Sequence, residues 1–113
     1  MKKILICEDE KDALESLLNI LTKKGYEVYG VDNGSDAIIQ AKELNPDVIL
    51  LDIRMPKIDG LAVAQELRSS GSQAKIIFIT AFASPELKKE AQRYNISDYL
   101  IKPVSPEEIA KKL

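Results

Sequence analysis

Val48-Ile49-Leu50-Leu51-Asp52-Ile53-Arg54-Met55-Pro56 decides the fold. Four branched apolar residues run without alternation into an aspartate, and a proline follows soon after. So short an unalternating run reads as a strand buried on both faces, which is the habit of a parallel sheet. Open α/β sheets carry their chemistry at the carboxyl ends of the strands, and that is where this run places Asp52.

The same pattern recurs on either side. Ile4 to Cys7 is a first apolar strand, followed at once by Glu8, Asp9 and Glu10. Ile76 to Ile79 is another, ending in Thr80-Ala81. Tyr26 to Val31 alternates and holds Glu27, while Tyr99 to Ile101 is short and closed by Lys102-Pro103. The purely apolar strands belong in the middle of a sheet and the mixed or short ones at its edges.

Helical patterns fill the gaps. From Lys11, the residues Ala13, Leu14, Leu17, Leu18 and Leu21 share one face, and Gly25 after Lys23-Lys24 is a stop signal. Asn33-Gly34-Ser35 opens a second helix that runs to about Leu44 and buries Ala37, Ile38 and Ala41; Asn45-Pro46 breaks it. Met55 to Gly60 reads as a loop, with Asp59-Gly60 as turn chemistry, and Leu61, Ala64 and Leu67 face inward from a third helix that ends near Ser69-Ser70-Gly71. Ser84-Pro85-Glu86 and Ser105-Pro106-Glu107 are caps with proline at the first helical position. The last helix barely begins before Leu113, so residues 1–113 read as one domain with its final helix cut short. Strands alternating with helices predict a doubly wound five-stranded parallel sheet, order 2-1-3-4-5, of the flavodoxin-like kind.

Composition narrows the function classes. Of 113 residues, 45% are apolar, enough to build one core. The formal net charge is -2 and the basic residues are evenly spread, so direct nucleic-acid contact is not expected. Cys7 is the one cysteine, which forbids an internal disulfide and suits the cytoplasm. No apolar run approaches the roughly 18 residues of a membrane span, and the one behind Met1-Lys2-Lys3 is too short for a signal peptide. With no histidine, histidine triads and histidine metal ligands are excluded.

In this fold Glu8, Asp9, Asp52, Thr80 and Lys102 converge on one end of the sheet. Each alone has a plain reading: acids at a helix start, a strand-end hydroxyl, a surface lysine. Together they do not, because clustered carboxylates repel unless a cation sits among them. All-oxygen donors select a hard ion, magnesium or manganese in its place. A carboxylate beside magnesium, a lysine and a hydroxyl is poised for phosphoryl transfer, with Asp52 as nucleophile. Asp47 and Asp98 start strands at the opposite end and read as structural. Lys88, Lys89 and Arg93 read as a solvated face, and Cys7 as an inert small apolar residue.

These residues carry a resemblance that spans the chain. Glu8-Asp9, Asp52 with Met55-Pro56 and Gly60, Thr80-Ala81, Tyr99, and Lys102-Pro103 occur in the order seen in receiver domains of bacterial two-component response regulators. The chain is similar to that CheY-like family. The resemblance implies Asp52 as phosphoacceptor and the phosphohistidine of a sensor histidine kinase or histidine phosphotransfer protein as donor. It implies a magnesium site of Glu8, Asp9, Asp52 and the backbone carbonyl of Arg54, and a cis Lys102-Pro103 peptide. It also implies a switch in which Thr80 swings toward the phosphoryl group and Tyr99 turns inward. The face of helix four, strand five and helix five is thereby remodelled, often for dimerisation. The implied role is signalling in a phosphorelay, not conventional enzyme turnover. Three features depart from the commonest pattern or vary within it. Glu8-Asp9 stands where Asp-Asp is usual, and the longer reach of glutamate allows binding of the metal through water. Val104 stands where phenylalanine often follows Lys-Pro. Arg54 and Phe82 occupy variable flanking positions that tune phosphoryl lifetime.

Three other functions compete. A flavodoxin-type carrier needs a Ser/Thr/Gly-rich phosphate loop after strand one, where this chain has Glu8-Asp9-Glu10. A haloacid-dehalogenase-type phosphohydrolase usually has a second aspartate where Arg54 stands, and a cap domain besides. A degenerate receiver that only binds partners is the remaining alternative, and the full set of site residues weighs against it.

Overall fold

The computed structural model describes residues 2–55, 57–81 and 84–113. Pro56 and Phe82, both singled out above, lie outside the described residues. Ten elements alternate: β1 (Lys3–Cys7), α1 (Lys11–Lys23), β2 (Glu27–Val31), α2 (Gly34–Leu44), β3 (Val48–Asp52), α3 (Gly60–Ser69), β4 (Lys75–Thr80), α4 (Pro85–Arg93), β5 (Asp98–Ile101) and α5 (Pro106–Lys112). The sheet is parallel throughout, in the order β2-β1-β3-β4-β5. The predicted fold class is therefore the observed one.

β3 is the middle strand because all five of its residues can be buried. It pairs Leu51 with Cys7 of β1 on one side and Asp52 with Ile79 of β4 on the other. Alternate residues feed two cores. Leu5, Cys7, Ile49, Leu51, Ile76 and Phe78 pack under α2, α3 and α4. Ile4, Ile6, Val48, Leu50, Ile77 and Ile79 pack under α1 and α5. The edge strands β2 and β5 have half-buried or exposed residues throughout, as their mixed composition requires.

The caps form as the sequence predicts. Asn33, Ser84 and Ser105 each accept a backbone N–H from three residues on. Gly25 has φ +96, a left-handed stop that glycine adopts without strain. Some local readings differ: Tyr26 lies before β2, and Ile38 is half-buried and not fully buried. β1, β4 and β5 begin one residue earlier than their apolar runs, since ladder pairing reaches into polar residues at the sheet's rim. In α3 the fully buried set is Val63, Ala64 and Leu67, while Leu61 is only half-buried. Gly60, at the start of the helix, lies against the backbone at the end of β3.

Candidate functional site

The register delivers each site residue to the carboxyl edge of the sheet. Glu8 follows β1, and its N–H donates to the Val31 carbonyl at 3.1 Å. Asp52 ends β3 and Thr80 ends β4. Lys102 follows β5, and its N–H donates to the Thr80 carbonyl at 2.6 Å, tying the last two strand ends together. The Lys102-Pro103 peptide is cis, as the resemblance implies.

The side chains converge. Lys102 Nζ donates to Asp52 Oδ2 at 3.0 Å and to Glu8 Oε1 at 3.1 Å. Carboxylate oxygens of Glu8, Asp9 and Asp52 all lie within 4.8 Å of one another. Glu8, Asp52 and Thr80 are buried and Asp9 is exposed, so the cluster is closed beneath and open to water on one side. Asp52 Oδ1 accepts the Arg54 N–H at 3.1 Å, which holds the carboxylate and the start of the next loop in one geometry. Glu8 Oε2 accepts the Glu10 N–H at 3.2 Å, so both Glu8 oxygens are engaged.

The electrostatics follow from crowding. Burial pulls Lys102 down, but the hydrogen bonds and charges of Asp52 and Glu8 outweigh it, and its pKa ends above the ordinary lysine value. Asp9 is raised, first by burial and then by the neighbouring Glu8. Cys7, beneath the site, is pushed up to about 12 by burial, with Asp52 and Glu8 adding to the shift. A thiol so raised stays protonated at neutral pH. Three carboxylates against one ammonium leave the cluster two negative charges in excess. A divalent cation would balance that excess, and an all-oxygen donor set fits magnesium or manganese.

Gly60 is what lets α3 approach. A Cβ there would lie 2.6 Å from the Asp52 carbonyl oxygen and 2.7 Å from the Ile53 Cα. The sequence marked Gly60 as turn chemistry and as part of the family motif, while the close backbone approach itself leaves no local signal. Tyr99 is half-buried on the α4 side of β5, paired with Phe78. Val104 lines an open groove of about 500 Å³ between α1 and α5 beside Lys102. Asp47, Asp59 and Asp98 have structural contacts. Asp47 accepts the Lys3 N–H at 2.8 Å, Asp59 caps α3, and Asp98 pairs with Lys112 at 3.0 Å. Arg93 pairs with Glu90 on the solvated face of α4, and Lys88 and Lys89 are exposed beside it.

Comparison with known proteins shows the family and the fold. A family model described as the response regulator receiver domain matches residues 4–113. Regulatory protein AtoC of Escherichia coli is 36% identical over 109 residues, covering 96% of this chain and 24% of that protein. Chemotaxis protein CheY of Thermotoga maritima is 34% identical over 113 residues, covering 99% of this chain and 94% of that protein. The crystal structure of Vibrio cholerae CheY4 superposes with a TM-score of 0.92 at 29% identity, covering 98% of this chain and 94% of that one. The chain thus spans nearly all of the chemotaxis relative but about a quarter of AtoC, and less than half of several transcriptional regulators it also matches.

Proposed function

We propose that this chain, which belongs to the response regulator receiver domain family of two-component systems, accepts a phosphoryl group on Asp52 and thereby switches a protein-interaction surface. One observation carries the proposal: a single lysine ammonium bridges Asp52 and Glu8 inside a three-carboxylate cluster that is open to water through Asp9. Glu8, Asp9, Asp52 and the Arg54 carbonyl would hold magnesium, which would supply charge neutralisation for the transferring phosphoryl oxygens.

The chain's own residues do the rest. The Arg54 N–H holds Asp52 Oδ1 and Lys102 Nζ holds Oδ2, so the carboxylate is fixed in one orientation. An Asp52 oxygen forms the bond to phosphorus as the phosphorus–nitrogen bond of the donor phosphohistidine breaks, and the imidazole nitrogen departs with the electron pair. Lys102 follows the incoming charge and binds a phosphoryl oxygen as a compact cation. The Thr80 hydroxyl takes another oxygen, and its movement frees space that Tyr99 fills. The face of α4, β5 and α5 changes with them, a two-state element biased by a local charge. That face is where we place a phosphorylation-dependent homodimer.

The donor is a sensor histidine kinase or a histidine phosphotransfer protein, and the setting is the cytoplasm. No helix among the described residues is long and apolar enough to cross a membrane. This module makes no nucleic-acid contact of its own and is not a conventional enzyme, because the group it modifies is itself. Intact mass after incubation with magnesium and acetyl phosphate tests the proposal. One phosphoryl adduct that needs magnesium and is lost in Asp52→Asn supports it. An adduct surviving in the variant moves the acceptor elsewhere, and no adduct with any donor favours the binding-only receiver.

A further inference from the structure

α4 is thinly anchored along its length. Of its nine residues only Leu87 and Ala91 are buried, so little apolar packing decides where it sits. The first turn follows Thr80 and is capped by Ser84, whose hydroxyl accepts the Leu87 N–H at 3.1 Å. The last turn is tied down by a residue of another helix. Arg68, in the last turn of α3, donates from Nε to the Tyr94 carbonyl at 2.8 Å and from Nη2 to the Asn95 carbonyl at 2.9 Å. Its Nη1 donates to the Ser72 carbonyl at 2.9 Å, which locks the guanidinium to its own helix end.

Among the described residues, Arg68's partners are these carbonyls and no carboxylate. A half-buried guanidinium is thus held by three backbone carbonyls just past the C-terminal ends of α3 and α4, and its planar fork suits three acceptors at once. The chain beyond α4 is held as well. Asn95 takes the left-handed conformation at φ +55, Ile96 N–H donates to Ala91 at 2.8 Å, and Ser97 N–H donates to Ile76 in the central sheet at 2.9 Å.

We propose that Arg68 is the pivot of the switch: it clamps the C-terminal end of α4 to α3, so that phosphorylation moves the N-terminal end of α4 next to Thr80 while the far end stays in place. The pivot rests on the phosphoacceptor reading above; the clamp itself does not. α3 also begins at Gly60 against the Asp52 backbone, so the helix that touches the acceptor at one end holds α4 at the other.

Hydrogen–deuterium exchange on the whole chain tests both parts, with Arg68→Ala and Arg68→Lys beside the parent. The lysine variant keeps the charge but cannot span three carbonyls, and it serves if the alanine variant does not fold. In unmodified protein, the Asn95 and Ile96 amides should exchange at least tenfold faster in the variants, while Leu50 and Ile77 in the sheet stay as slow as in the parent. Unchanged Asn95 and Ile96 rates overturn the clamp. After acetyl phosphate and magnesium, the parent's changes should be confined to Leu87 to Lys89, and in Arg68→Lys they should extend to Asn95 and Ser97. Equal changes at both ends of α4 in the parent overturn the pivot. If mass shows no adduct, the phosphoacceptor reading fails and takes the pivot with it, while the unmodified comparison still judges the clamp.

Discussion

Replacing Lys102 with methionine keeps most of the side chain's bulk and removes its charge. In the parent the ammonium lies 3.0 Å from Asp52 and 3.1 Å from Glu8, both buried. At such distances each attraction has an upper bound of about 5 kcal/mol for an effective dielectric near 20. Desolvation takes back much of it, and the lysine side chain is 35% exposed, so solvent screens the remainder. Removing one partner of a fully buried pair costs about 3–5 kcal/mol; with this exposure we expect a loss of about 2 kcal/mol in metal-free buffer at neutral pH. With a urea slope of about 1–3 kcal/mol per molar, the unfolding midpoint falls by about 1 M. Magnesium should stabilise the variant more than the parent, because the ion resupplies positive charge to the same carboxylates without competing with the lysine. The pH dependence has a definite sign. Lys102's folded pKa is raised, so its contribution is full below the unfolded lysine value of about 10.4 and is lost as pH rises through the higher folded value. The gap between parent and variant should therefore close only in strong alkali. Equal midpoints in metal-free buffer at pH 7 would refute the view that Lys102 compensates the cluster.

Gly60→Ala forces a methyl to within 2.6 Å of the Asp52 carbonyl oxygen, where only backbone can yield. Urea unfolding should show a loss of about 1–3 kcal/mol or more, and phosphorylation should slow as Asp52 is displaced; an unchanged adduct rate would mean that Asp52 tolerates the shift. Asp9→Asn should behave oppositely in metal-free buffer. The folded pKa of Asp9 is raised, so the fold loses stability as pH rises through it, and the neutral amide removes that loss. Asp9 is exposed, so the gain at pH 7 is under about 1 kcal/mol, fading in acid, and it should reverse in magnesium. Asp47→Ala removes the 2.8 Å bond to the Lys3 N–H and should cost about 1 kcal/mol by urea unfolding while leaving the phosphoryl adduct intact.

Much of this protein is legible in neighbouring residues. Unalternating runs mark β1, β3 and β4 as central, the mixed Glu27–Val31 segment marks an edge, and Asn33, Ser84 and Ser105 announce helix starts. The site residues are legible because each falls at the end of such a strand. Other features are not. Nothing in Glu8-Asp9-Glu10 says that Glu8 turns into the cluster while Glu10 stays in water. Leu61 fits a helical stripe as well as Val63, and only the packing shows Val63 buried and Leu61 half-buried. Arg68 reads as an ordinary basic residue near a helix end until α4 lies beside it. Periodicity and capping involve residues a few positions apart, so the sequence by itself determined the elements, their order and which strand ends carry chemistry. The contacts of Lys102 with Asp52 and Glu8 join residues 50 and 94 positions apart. Only the tertiary structure decided those, because such pairs meet only where strand register and helix packing bring distant segments together.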